Sequence, residues 1–191
     1  MTKISLVSKY ICALLLALAI LQVTSHALLL CFGELTTEGL SQLSIDFYLF
    51  SSHISHQFPH GWLDISQALM SENFNALAIL GTAELIPYLL IYYFLFKLFS
   101  YYQRGQIFTV ANIACLRNIG KTLLLWILLN AFYPVLVSLI IRFTGLSNKL
   151  AIYLNIGSSE IVYLISGLVI YVMAWVMTLA IELKQEQELV V

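Results

Sequence analysis

The chain has 191 residues, of which 61% are apolar and only 10% charged, against about 45–50% and about 25% in an ordinary soluble domain. A chain this short leaves much of its surface facing solvent, so this surplus cannot all be hidden in one core, and the solvent must be lipid. With 9 Gly, 3 Pro and 3 Cys it is neither collagen-like nor disulfide-rich, and its low charged fraction excludes a disordered chain. The net charge of −1 carries no signal for nucleic acid, and no direct nucleic-acid contact is expected.

Four runs approach the roughly 20 residues that a helix needs to cross hydrocarbon. The first is Tyr10 to Phe32, interrupted by Gln22 and His26. The second is Ala76 to Phe96, with Glu84 and Pro87 inside it, where the proline should produce at most a local bend. The third is Thr122 to Ile141, around Asn130 and Pro134; the fourth, Ile161 to Ile181, contains no charge. These continuous runs do not alternate as barrel strands do. The predicted fold is therefore all-α: a four-helix transmembrane bundle, one integral membrane domain over 1–191. A long extracytoplasmic loop, 33–75, joins the first two helices. A cytoplasmic connection, 97–121, carries a short helix leading into the third; an outer loop, 142–160, and a cytoplasmic tail, 182–191, complete the chain.

Orientation follows from Lys and Arg, which cytoplasmic loops retain. Lys3, Lys9, Lys97, Arg104, Arg117, Lys121 and Lys184 fall on one side, against Arg142 and Lys149 on the other, so both termini are expected in the cytoplasm. The first outer loop has no Lys or Arg but carries Glu34, Glu38, Asp46, Asp64 and Glu72. Trp126, Trp175, Tyr92, Tyr93, Tyr101 and Tyr102 suit an aromatic belt at the inner interface. At the amino terminus, Lys3 and Lys9, an apolar stretch and then Ser25-His26-Ala27 have the form of a cleavable signal peptide. Apolarity resumes at Leu28 to Phe32, which makes a segment long enough to stay as a span, and retention is expected. Cys12, Cys31 and Cys115 lie too far apart along this topology for a disulfide framework and read as small apolar fillers. No internal repeat supports an inverted-repeat transporter.

In the cytoplasmic connection, Gly105 is placed to end the second helix with positive φ, and Thr109 to cap a new helix running into span three. On that helix Ile113, Leu116 and Gly120 share a side, with Asn112, Cys115 and Asn118 elsewhere. Arg104, Arg117 and Lys121 are near enough to meet anionic headgroups, at about 1 kcal/mol each, although plain topological anchoring explains them more simply. The tail turns abruptly from membrane composition to charge, then back to apolar Leu189, Val190 and Val191. It reads as a solvated helical extension whose end frays, adds as a strand to a partner or packs on the protein's own cytoplasmic connection.

The aromatic run with Arg104-Gly105, then Ile107-Phe108-Thr109 and Leu116-Arg117-Asn118-Ile119-Gly120, together with the tail Glu186 to Val191, resembles the signature of the bacterial domain of unknown function 2975 family. The resemblance covers roughly the second half of the chain, from about Phe96. Where the family pattern has an acidic residue soon after Phe-Thr, this chain has Ala111 and Asn112. The resemblance implies a small four-span inner-membrane protein of uncharacterised activity, often encoded beside a small helix-turn-helix regulator, with no enzyme activity and no cofactor. A cytoplasmic partner surface is expected over Arg104, Gly105, Phe108, Thr109, Arg117, Glu186 and Glu188.

His53, His56 and His60 are spaced as one helical face would require for metal ligation, but Pro59 breaks such a helix and no Cys or fixed carboxylate accompanies them. They are expected to be surface histidines, with no metal bound. Ile45, Phe47, Leu49, Phe50, Ile54 and Trp62 suggest that this loop lies in the interface or caps the bundle. A carboxyl at mid-span costs about 2.5–3.5 kcal/mol and usually faces the bundle interior. Glu84, with Gln22 or His26 in hydrogen-bond reach and Tyr133 and Tyr171 at similar depth, is expected to form an intramembrane polar cluster, in the plainest case as a protonated helix-association device. Glu160 suits the first turn of span four, and Arg142 should snorkel outward. No nucleophile, base and orienting acid occur together, and no phosphate loop is present, so the chain does not read as an enzyme. The expected role is a non-enzymatic interaction or sensory partner acting through its cytoplasmic face. The alternative is a small transporter or channel using Glu84 as its ion or proton group.

Overall fold

The computed structural model describes residues 3–35, 40–47, 50–58, 62–106, 109–145 and 158–189. In chain order come α1 (Lys3–Phe32), three strands, β1 (Glu34–Leu35), β2 (Leu40–Phe47) and β3 (Phe50–Gln57), and a short α2 (Leu63–Ser71). A π-helical turn, Leu77–Gly81, then runs straight into α3 (Thr82–Gln103), followed by α4 (Val110–Phe143) and α5 (Ser158–Leu189). Four helices are long and apolar enough to cross a membrane: Lys3–Phe32, Leu77–Gln103, Val110–Phe143 and Glu160–Gln187. Each overshoots the apolar run that announced it, because a helix ends where its backbone is capped, not where its side chains turn polar.

The helix surfaces are those of a lipid-embedded chain. α1 and α5 expose lines of large apolar residues, such as Leu14, Leu18 and Leu21 on α1 and Ile165, Val169, Val172 and Val176 on α5. α4 is the most enclosed. Its buried stripe runs through Ile113, Ile119, Trp126, Asn130, Val137 and Ile141, while Arg117, Lys121, Leu125, Leu128, Phe132, Leu136 and Ile140 are exposed at three- and four-residue spacing. Two expectations are corrected on this helix. Asn112 and Cys115 lie on the buried side with Ile113, and Trp126 is buried against the Tyr88 ring, 5.8 Å away, instead of sitting in an interfacial belt. Trp175 is exposed.

The connection between α1 and α3 has more structure than the sequence announced. β1, β2 and β3 form an antiparallel sheet in that order, with β2 and β3 in register from Leu40 opposite Gln57 to Phe47 opposite Phe50. The signal was present in the alternation of Leu43, Ile45 and Phe47 with polar residues. α2 follows with Ile65, Ser66 and Leu69 fully buried, a stripe of helical period.

The chain divides into two compact units, one comprising Met1–Ala19, Pro87–Trp126 and Ser159–Val191, the other Ile20–Ile86 and Ile127–Ser158. In the first, Ser5 Oγ donates to the Gln103 carbonyl at 3.0 Å and Cys12 Sγ to that of Phe96 at 3.7 Å, fastening α1 to α3. α4 and α5 meet there at Gly120 and Gly167, where a Cβ on Gly120 would come within 3.0 Å of the Gly167 carbonyl oxygen. The second unit contains the sheet, α2 and the polar residues described next.

Candidate functional site

The second unit gathers the buried polar groups. Asn75 Oδ1 accepts the Ala78 N–H at 3.0 Å and so starts the π turn that precedes α3. Gly81 closes that turn, and a Cβ there would meet Leu77 Cδ1 at 2.6 Å and His26 Cε1 at 3.2 Å, so its lack of a side chain lets the His26 ring of α1 lie against α3. His26 Nε2 is 3.2 Å from Thr82 Oγ1, at hydrogen-bond distance. Two residues on, Glu84 is 7% exposed, and its Oε2 lies 3.3 Å from His56 Nε2 of β3. Both of these atoms are buried and neither makes an aligned hydrogen bond. The His56 ring stands edge-on to Phe58 at 5.0 Å and to His26 at 6.2 Å between centroids. Burying an imidazole and a carboxyl side by side is less costly than burying either as an unpaired ion.

Two aromatic residues donate to backbone carbonyls, one of which a proline leaves open. Pro134 has no N–H, so the Asn130 carbonyl one turn earlier lacks its regular helical donor. Trp62 supplies it, donating its indole N–H to Asn130 O at 2.8 Å from a completely buried position. Tyr133 donates its hydroxyl to the Ile79 carbonyl in the π turn, also at 2.8 Å, and the Trp62 and Tyr133 rings lie 5.6 Å apart. The segment before α2 is thereby tied to α4, and α4 to the start of α3, through groups that membrane helices must satisfy internally.

Of the residues expected to cluster, His26 and Glu84 both lie beside His56, which was not among them. His26, Glu84 and Tyr133 all belong to this unit, but the side chain within ion-pairing distance of Glu84 is His56, where Gln22 or His26 was expected. His56 is accordingly no surface histidine; its side chain is 17% exposed. Gln22 is half-buried on α1, its carbonyl accepting Ser25 Oγ. Tyr171 belongs to the other unit, where its backbone faces Gly120. The His53 side chain and His60 lie outside the described residues, and among those described no group of three His, Cys, Asp or Glu is placed to hold a metal ion. The sequence did not point to Thr82 or to the indole of Trp62 as bonding partners. Pro134 was the available signal, since every mid-helix proline frees a carbonyl that some donor must meet.

The first unit carries the turn between α3 and α4. Gly105 has φ 77°, its N–H bonds to Tyr102 O, and the Gln106 N–H reaches back to Tyr101 O, both near 3 Å. These are the two bonds of a Schellman closure. Thr109 Oγ1 accepts the Asn112 N–H at 3.4 Å, as an N-cap should. The Asn112 side chain donates in turn to the Gln106 carbonyl, which explains its burial. Arg104, Gly105 and Arg117 are exposed and Thr109 is half-buried. Phe108 lies outside the described residues. α5 continues beyond its apolar stretch with Glu182, Gln185, Glu186 and Gln187 exposed; Glu188 falls within the helix, its side chain outside the described part. Arg142 is exposed at the end of α4, and Glu160 is buried in the first turn of α5.

Compared with known families, the chain matches the one described as "Protein of unknown function (DUF2975)" over residues 5–191, nearly its whole length and well beyond the half on which the sequence resemblance rests. No curated protein and no solved structure matches it.

Proposed function

The chain belongs to the DUF2975 family of proteins of unknown function, and from that premise we propose that this multi-pass membrane protein is a non-enzymatic interaction or sensory partner of a cytoplasmic protein. In this reading it lies in a bacterial inner membrane with both termini in the cytoplasm, where seven of its nine Lys and Arg would then fall. Its partner is a helix-turn-helix regulator. The observation that supports this best is the pair of helix ends at the α3–α4 turn: a Schellman closure ends α3, a Thr109 cap starts α4 and the Asn112 side chain bonds the Gln106 carbonyl, with Arg104 and Gly105 exposed. A surface ordered before binding loses less entropy when a partner docks. The acidic end of α5 offers the second half of the contact.

Affinity capture from native membranes tests it. The intact chain should retain the regulator, and chains lacking 186–191 or carrying Arg104→Glu with Arg117→Glu should lose it. Recovery of the same proteins, or of none, with all three chains would refute the reading. Reporter fusions at Gln57 and at the carboxyl terminus should fall on opposite sides of the membrane. A transport reading draws on a different observation, the buried Glu84 carboxyl whose Oε2 has no aligned hydrogen bond. In that case Glu84→Gln abolishes proton flux into vesicles and leaves regulator capture intact.

A further inference from the structure

Along α1 and α3, within the first unit, the two helices touch where Cys12 Sγ reaches the Phe96 carbonyl at 3.7 Å. Beside that contact they part, leaving a slot of about 200 Å³. Its α1 wall is Leu15, Leu16 and Ala19, and its α3 wall is Leu89, Tyr92, Tyr93 and Phe96. On each helix these positions recur at three or four residues, so both walls are continuous stripes. Ala19 gives the slot depth where a larger side chain would fill it. The surface is almost wholly apolar, which suits hydrocarbon and not a polar solute.

One end of the slot differs in kind. Lys97 follows Phe96 directly, and its ammonium lies over the Tyr93 ring, 6.0 Å from the centroid. That distance is within the range of a cation–π contact. Tyr93 is part of the slot wall, so the exposed cation stands over a lining ring, although Lys97 itself is not among the lining residues. From Leu89 to Lys97 the helix rises about 12 Å, close to the roughly 15 Å hydrocarbon depth of a single leaflet. Length, lining and charge together match one leaflet's worth of an anionic lipid.

We propose that this slot is a binding site for one acyl chain of an anionic phospholipid, with the lipid phosphate on Lys97. An ordinary convex helix face gives a lipid chain contact on one side only. The slot encloses it on two, and the ammonium selects the headgroup. A single lysine at the membrane surface favours an anionic over a zwitterionic lipid by about fivefold. The inference does not rest on the partner proposal, and its test uses no partner, so the two stand or fall separately.

The test is native mass spectrometry of the full chain released from detergent with equal phosphatidylglycerol and phosphatidylcholine. The natural chain should retain the anionic lipid about fivefold in excess. Lys97→Gln should bring the ratio to about one, and Lys97→Arg should restore it, which a merely structural role for the lysine would not predict. Ala19→Trp, filling the slot, should reduce retention of both lipids several-fold, whereas Val172→Trp on the exposed face of α5 should leave retention unchanged. Equal retention of the two lipids by the natural chain, a preference that survives Lys97→Gln, or equal behaviour of Ala19→Trp and Val172→Trp would each overturn the proposal. If Ala19→Trp does not fold, the lysine pair decides alone.

Discussion

The two compact units solve the same problem by opposite means. Each contains helix ends and interruptions that leave backbone groups without partners, and neither can hand those groups to lipid. In the unit holding the α3–α4 turn the repair is mostly local. Gly105, Thr109 and Asn112 close the turn with bonds spanning six residues or fewer. In the unit holding the sheet, the repair comes from far along the chain: Trp62 reaches Asn130, Tyr133 reaches Ile79, and His56 of a strand faces Glu84 of a helix. A local repair survives as long as its own few residues do. A distant one couples the stability of the hairpin, α2 and two spans, so damage to one donor is felt by all of them.

The largest effect should therefore come from the distant set. Trp62→Ala should cost about 3–5 kcal/mol, read as a lowered unfolding midpoint in mild detergent. Trp62→Phe keeps most of the volume and removes the donor, at about 1–3 kcal/mol. Pro134→Ala restores a backbone N–H to the Asn130 carbonyl and should recover part of that loss. A double variant no more stable than Trp62→Phe alone would show that the indole bond is not what matters. Next in size is the buried pair. His56→Leu and Glu84→Gln should be non-additive by about 0.5–3 kcal/mol in a double-mutant cycle, as expected of side chains in contact, whereas additivity would mean that the 3.3 Å approach carries no coupling.

The local set should yield smaller losses. Gly105→Ala places a Cβ on a residue at φ 77° with nothing within 4 Å, so its cost of about 1–2 kcal/mol is purely conformational. Gly105→Asn should be milder, since asparagine tolerates this backbone region better, and equal losses for both would argue against that cause. Thr109→Ala should cost about 1 kcal/mol and Thr109→Ser almost nothing. Hydrogen exchange of the α4 first turn is the sensitive measurement for this pair, because fraying there need not lower the global midpoint.

What the sequence determined by itself follows the same division. Four membrane-crossing helices were legible because lipid demands runs of some 20 apolar residues, a requirement that each segment meets without reference to any other. The ends of α3 and α4 were legible for the same reason: Gly105 and Thr109 act on neighbours a few positions away. Glu84 was recognisable as costly, since any carboxyl in that run would be. Its partner was not, because His56 is brought to Glu84 only by the pairing of β2 with β3 and by the burial of Phe58 and Trp62. The same holds for Trp62 and Asn130, 68 positions apart, and for the slot whose two walls come from α1 and α3. Local chemistry is written in consecutive residues. Which distant side chain meets an orphaned carbonyl or a buried carboxyl is decided only when the helices pack, because many donors in the chain are chemically suitable and packing brings only one of them close.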